Sequence, residues 1–123
     1  MGSHSQMLCV DDDAQLRKSL EQQFTDEDFE VDTAASGDAA IEMLRKKVYD
    51  IVLLDLRMKP VDGITVLKEM RKNSNFPKVI MLTGVDDVTT AMECVKLGAV
   101  DYISKPYDPE ELLHVVIKVL GTQ

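Results

Sequence analysis

Two kinds of segment alternate along this chain. Short runs rich in apolar and β-branched residues occur at 6–10 (QMLCV), 29–34 (FEVDTA), 50–56 (DIVLLDL), 78–83 (KVIMLT) and 100–104 (VDYIS). Between and after them, apolar residues recur at helical spacing. The first such stripe is Leu16, Leu20 and Phe24, and the second Ile41, Leu44 and Val48. Ile64, Leu67 and Met70 form a third, Val88, Ala91, Met92 and Val95 a fourth, and Leu113, Val116, Ile117 and Leu120 the last.

Turn and cap residues agree with this division. Ser36-Gly37-Asp38 and Asp108-Pro109-Glu110-Glu111 read as helix starts, the second with proline at the first helical position and acids in the first turn. Gly98 stands where a helix ends on positive φ. The basic groups at 45–47 (RKK) and 71–73 (RKN) read as helix C-termini, where positive charge complements the backbone dipole. Regular β-α alternation predicts a doubly wound, five-stranded parallel sheet covered on both faces by five helices. The third and fourth runs are nearly all apolar, as buried central strands are, whereas 29–34 alternates like a strand nearer an edge.

Composition narrows the chemistry. A chain of 123 residues is one domain with enough core to fold without staples. The leading hexapeptide, MGSHSQ, reads as an expression-tag remnant, leaving 7–123 as the domain. Acids exceed bases by 22 − 14 = 8 and no basic stripe occurs, which argues against nucleic-acid contact by this domain. No apolar run reaches membrane-spanning length, so no membrane is expected. Cys9 and Cys94 lie in apolar contexts without metal-ligand spacing, which suits reduced thiols in the cytoplasm.

One feature of the apolar runs needs a chemical explanation. The buried-looking run IVLLD stops on a carboxylate, Asp55, and the first run leads straight into Asp11, Asp12 and Asp13. In an open doubly wound sheet with strand order 2-1-3-4-5, ligands bind beyond the carboxyl ends of the strands, between strands one and three. Those acids therefore converge on one crevice. At an effective dielectric near 20, two carboxylates ~4 Å apart repel by about 4 kcal/mol. Such a cluster takes up a proton or holds a cation, and hard oxygen ligands without histidine or thiolate suit Mg²⁺. Asp13 also reads as a helix cap. Thr83 falls at the tip of the fourth run and Lys105 at the tip of the fifth, a hydroxyl and a mobile positive charge for an anion. Acids, metal, hydroxyl and lysine around Asp55 describe a phosphoryl acceptor.

The motifs VDDD (10–13), LLDLRM with VDG after it, MLTG (81–84) and GAVDYISKPYDPEEL (98–112) resemble, in order and separation, those of the receiver domain of bacterial two-component response regulators, transcriptional activators in particular. The resemblance implies a flavodoxin-like sheet and a phosphorelay function without enzymatic turnover of a separate substrate. By it, Asp55 accepts a phosphoryl group from a histidine kinase, a phosphotransfer protein or a small donor such as acetyl phosphate. Asp11, Asp12, Asp55 and the backbone carbonyl of Arg57 would hold Mg²⁺. Thr83 and Lys105 would contact the phosphoryl group, Thr83 and Tyr102 would act as switch residues, and the Lys105–Pro106 bond would be cis. By the same resemblance Arg57 and Val85 stand at positions that in the family tune phosphoryl lifetime, and a bulky arginine with an apolar valine predicts slow self-dephosphorylation.

Signalling would pass to the surface of the fourth helix, fifth strand and fifth helix, with homodimerisation on phosphorylation as the main expectation. The chain departs from the family at MKPVDG, where Lys59 takes the place usual for proline and Pro60 follows one position late. An altered loop around an intact site is expected, with contact of Lys59 to the phosphoryl or a partner as the alternative.

Two other readings fare worse. An aspartyl phosphatase would want a second acid two residues after its nucleophile, where Arg57 stands. A flavin module would want a Ser/Thr-rich loop after the first strand, where the chain has DDD. Met43, Met58, Met70, Met81 and Met92 read as packing, Tyr49 and Tyr107 as covers of core edges, and His114 as a solvated side chain.

Overall fold

The alternating pattern folds into eleven successive elements in a computed structural model that describes residues 5–72 and 76–121. In chain order these are β1 (Gln6–Val10), α1 (Ala14–Thr25), β2 (Glu30–Ala34), α2 (Gly37–Lys46), β3 (Ile51–Asp55) and α3 (Gly63–Met70). Then come β4 (Lys78–Thr83), a 3₁₀ turn (Val85–Asp87), α4 (Val88–Lys96), β5 (Asp101–Ser104) and α5 (Pro109–Gly121). The strands form one sheet in the order β2-β1-β3-β4-β5, every neighbouring pair parallel. Gln6 already belongs to the sheet, in register with Glu30. Asn73, in the predicted basic helix end at 71–73, lies outside the described residues.

Parallel strands cannot be joined by hairpins, so each crossover places a helix on one face or the other. Alternation along the strands then divides the apolar residues between two cores. Leu8, Val10, Val52 and Leu54 face one core with α2, α3 and α4, while Met7, Cys9, Ile51 and Leu53 face the other with α1 and α5. Every residue of β3 is buried, as its uninterrupted apolar run requires. Full burial of each such aliphatic side chain contributes roughly 1.5–3 kcal/mol.

The helix starts are fixed by polar caps. Asp13 accepts from the amides of Gln15 and Leu16, Ser36 from Ala39, and Asp62 from Thr65. α4 is closed by Gly98 at φ +123°, where a Cβ would in addition press on the ring of Phe76. The Arg71 guanidinium, from the end of α3, donates to the carbonyl of Leu97 beside it.

Three stripes differ in detail from the periodic reading. On α4 the inward residues are Ala91 and Cys94, while Met92 and Val95 are 52% and 39% exposed. Apolar residues cover more than one side of this helix, so spacing alone cannot say which side meets the sheet. Met92 is accordingly a surface residue. Val48 lies beyond the end of α2 and is exposed. On α5 Leu112 joins Val116 inside, and Ile117 faces outward. Cys9 and Cys94 are both buried and unpaired by any disulfide. Among the described residues, no helix is long and apolar enough to cross a membrane.

Candidate functional site

The carboxyl ends of β1, β3, β4 and β5 carry the residues singled out by the sequence, and the backbone ladder continues past the strands to hold them. The amide of Asp11 donates to Ala34, that of Leu56 to Leu82, and that of Lys105 to Thr83. Asp11, Asp55 and Thr83 are 0%, 5% and 1% exposed, whereas Asp12 is open to solvent. Gly63 lets the start of α3 close over this floor: a Cβ there would lie 2.5 Å from the carbonyl oxygen of Asp55.

Asp11, Asp12 and Asp55 can each offer a carboxylate oxygen, and these oxygens all lie within 4.8 Å of one another. Lys105 reaches into the group, its Nζ 2.9 Å from Asp11 Oδ2 and 3.3 Å from Asp55 Oδ1. The amide of Asp13 donates to Asp11 Oδ1 and the amide of Arg57 to Asp55 Oδ1. Asp13 itself spends its side chain on the α1 cap, as its position allows.

Burial pushes the Asp55 carboxyl up to about 6, and the negative charge of Asp11 pushes the same way, with Lys105 only partly offsetting both. For Lys105, burial works to lower the pKa, but its hydrogen bonds and charge contacts with Asp11 and Asp55 win and raise it. The cluster thus holds one ammonium against closely spaced acids and retains a demand for positive charge. Its donors are all carboxylate oxygens, a set that fits a hard divalent cation and gives a thiophilic one nothing to bind.

The remaining predicted residues surround this floor. The Thr83 hydroxyl donates to the carbonyl of Gly84, 3.2 Å away. Tyr102 is half-buried against the core on the α4 side. Val85 is exposed on the 3₁₀ turn. The Lys105–Pro106 bond is cis, and so is Lys59–Pro60, in the loop where the motif departs from the family pattern. Lys59 is exposed and lines a groove of about 480 Å³, with Asp12, Arg57, Pro60 and Thr90, that opens beside the acids. His114 is exposed.

One residue escaped the sequence reading. Asp87, buried at the foot of α4, accepts from Arg57 through both oxygens, one of them 2.9 Å from Nε. That hydrogen bonding holds its carboxyl below the usual range. Adjacency of the β3 and β4 tips, with a base after one and acids after the other, was the available signal. Tyr107, expected at a core edge, buries a hydroxyl that lacks a hydrogen-bond partner; burial, with Asp11, Cys9 and Asp55 nearby, raises its pKa.

This arrangement of acids, hydroxyl and lysine on a five-stranded doubly wound sheet is that of a signalling receiver, and comparison places the chain within that family. A family profile described as the response regulator receiver domain matches residues 7–117, and the chain belongs to that family. It is 37% identical over 123 residues to the regulatory protein AtoC of Escherichia coli (strain K12), covering all of this chain but 27% of AtoC. The chemotaxis response regulator CheY4 of Vibrio cholerae superposes with a TM-score of 0.90 at 30% identity, covering 96% of this chain and 100% of CheY4. The receiver domain of the sensor histidine kinase PA1611 from Pseudomonas aeruginosa PAO1, which holds a magnesium ion in its active-site cleft, superposes with a TM-score of 0.87 at 25% identity, covering 98% of this chain and 100% of that domain.

Proposed function

We propose that this chain is a phosphoacceptor switch in which Asp55 takes a phosphoryl group from a histidine kinase, a phosphotransfer protein or acetyl phosphate, in the cytoplasm. The observation that carries this reading is the buried Asp55 carboxylate, set among two further acids and a lysine on neighbouring strand tips. An ionised oxygen of Asp55 attacks phosphorus in line, its new O–P bond forming as the donor's P–N or P–O bond breaks and the donor keeps the electron pair. Asp11, Asp12, Asp55 and the Arg57 carbonyl would hold Mg²⁺, which when bound supplies positive charge to the transferring oxygens. Lys105 supplies more from the other side, and the Thr83 hydroxyl can donate to a phosphoryl oxygen.

The product adds roughly −1.5 to −2 charge to a confined site. Thr83 and Lys105 turn toward that charge, Tyr102 fills the space that Thr83 leaves, and the change reaches α4, β5 and α5 as a shift between two populations. The exposed apolar residues Met92 and Val95 on α4, with Val100 before β5, suit a second copy of the chain as partner, so phosphorylation drives homodimerisation. The acidic balance and lack of a basic stripe argue against direct nucleic-acid contact by this domain.

Mass spectrometry tests the central claim. With acetyl phosphate and Mg²⁺ the protein gains about 80 Da at Asp55 (one phosphoryl group for one proton), and Asp55→Ala does not. An adduct that persists in the variant, or never forms in the intact chain, overturns it. Arg57 lines the groove beside the acids and Val85 stands exposed on the 3₁₀ turn, and on this reading the bulky and apolar pair slows attack of water on the phosphoryl group. Purified protein with Mg²⁺ holds its label for minutes or longer; a half-life of seconds refutes this.

A further inference from the structure

Arg57, two residues past Asp55, pairs its side chain with Asp87, and Asp87 occupies a position with a second use for its carboxylate. It is the residue immediately before α4, the N-cap position. Aspartate is among the best N-cap residues, because its oxygen accepts from the second or third amide of the helix. At α1, α2 and α3 the equivalent residues, Asp13, Ser36 and Asp62, do cap, and all three have extended backbones with ψ of 112°, 163° and 175°. Asp87 does not cap. Its φ and ψ are −111° and 15°, it closes the 3₁₀ turn Val85–Asp87, and both its carboxylate oxygens are turned to Arg57.

Arg57, for its part, lies two residues past Asp55 and gives its backbone amide to the Asp55 carboxylate. Its side chain is largely exposed, so leaving Asp87 costs little packing. A guanidinium matches a phosphoryl group as well as it matches a carboxylate, and the phosphoryl group carries more charge.

We infer that Arg57 is exchanged between Asp87 and the phosphoryl group, and that Asp87, once released, becomes the N-cap of α4. This rests on the phosphoacceptor reading for its trigger but not for its two structural states. In the resting chain Asp87 is a clamp on Arg57, and α4 begins without a side-chain cap. In the loaded chain the carboxylate turns to the amides of Thr89 and Thr90, the second and third residues of the helix. Reaching them demands an extended backbone at Asp87, which undoes the 3₁₀ turn. That turn connects Thr83, at the tip of β4, with α4. The exchange therefore gives charge at Asp55 a route to α4 through Asp87, in addition to the movement of Thr83.

Hydrogen exchange and amide chemical shifts of Thr89 and Thr90 test this on the purified chain. Wild type with Mg²⁺ and beryllofluoride slows exchange at these amides by about fivefold, the factor a typical cap supplies. Without any phosphoryl mimic, Arg57→Ala frees Asp87, and Asp87→Asn keeps a capping side chain while discarding the charge that binds Arg57. Both resting variants move toward the loaded wild-type shifts and protection. Asp87→Ala removes the cap and gains no protection, loaded or not.

The inference is overturned if resting Arg57→Ala and Asp87→Asn keep wild-type shifts, or if loaded Asp87→Ala is protected as well as loaded wild type. Failure of beryllofluoride to bind wild type would count against the phosphoacceptor reading instead, and the two resting variants would still decide the exchange. If Asp87→Ala does not fold, the same two variants carry the test.

Discussion

The strand tips and helix α4 adjoin one another and are held on opposite terms. Asp11, Asp55 and Thr83 are buried at the ends of strands whose ladders continue through Ala34, Leu82 and Lys105. α4 rests on the sheet mainly through Ala91 and Cys94 and shows Met92 and Val95 to solvent, and Asp87 just before it is paired with Arg57 of the acceptor loop. The strand tips are thus bound into the sheet, whereas α4 leaves much of its apolar surface uncovered. A receiver needs both, because chemistry asks for fixed distances and signalling for two states of similar energy.

The largest effect should come from breaking the rigid side. Leu54→Ala empties a fully buried place in β3, in register with Val10 and Met81, and should cost about 2–5 kcal/mol in denaturant unfolding. A cost below 1 kcal/mol would mean that the strand floor is not the stiff half of the molecule.

The second effect carries a sign that depends on pH. The folded Asp55 carboxyl binds its proton at about pH 6, more tightly than the unfolded group near 3.8, because burial and Asp11 disfavour its charge. Its contribution to stability is therefore full below the unfolded value and is lost as pH rises through about 6. Asp55→Asn cannot ionise. In chelator-treated samples it should be more stable than the parent by up to about 3 kcal/mol above pH 7, with almost no difference near pH 4. A gain that does not vary with pH would assign the effect to packing instead. Saturating Mg²⁺ should narrow the gap, since the ion stabilises the folded parent and has fewer ligands in the variant.

The smallest effect belongs to the soft side. Met92→Ala with Val95→Ala should alter the stability of the unmodified chain by no more than about 0.5 kcal/mol each, as exposed positions do. In sedimentation the same pair should weaken dimerisation of the beryllofluoride-loaded chain by tenfold or more. Undiminished dimerisation would move the interface off α4.

How much of this was legible in the sequence follows the same division. The strands begin and end within a residue or so of the apolar runs, because a parallel sheet buried on both faces leaves an uninterrupted signal. Topology then brought Asp11, Asp12, Asp55 and Lys105 together and left Thr83 at the tip of the strand between β3 and β5, since residues at the carboxyl ends of adjacent strands have nowhere else to go. On α4 the reading failed for a physical reason. Met92 and Val95 are as apolar as Val88 and Ala91, and only contact with the sheet distinguishes them. Asp87 was hidden because its partner lies thirty residues away and because aspartate before a helix has a sufficient local explanation in capping. The structure shows that explanation to be unfulfilled, since Asp87 makes no cap hydrogen bond.

The far end of α4 adds one consequence. Gly98 lets the chain turn sharply there, Phe76 packs on it, and Arg71 ties down the Leu97 carbonyl. A nine-residue helix is about 13 Å long at ~1.5 Å per residue. With that end tied, a tilt of about ten degrees would carry the opposite tip by about 2 Å, on the scale of a hydrogen-bond length. A rotation of that size at the Gly98 end would be enough to change which groups touch at the other.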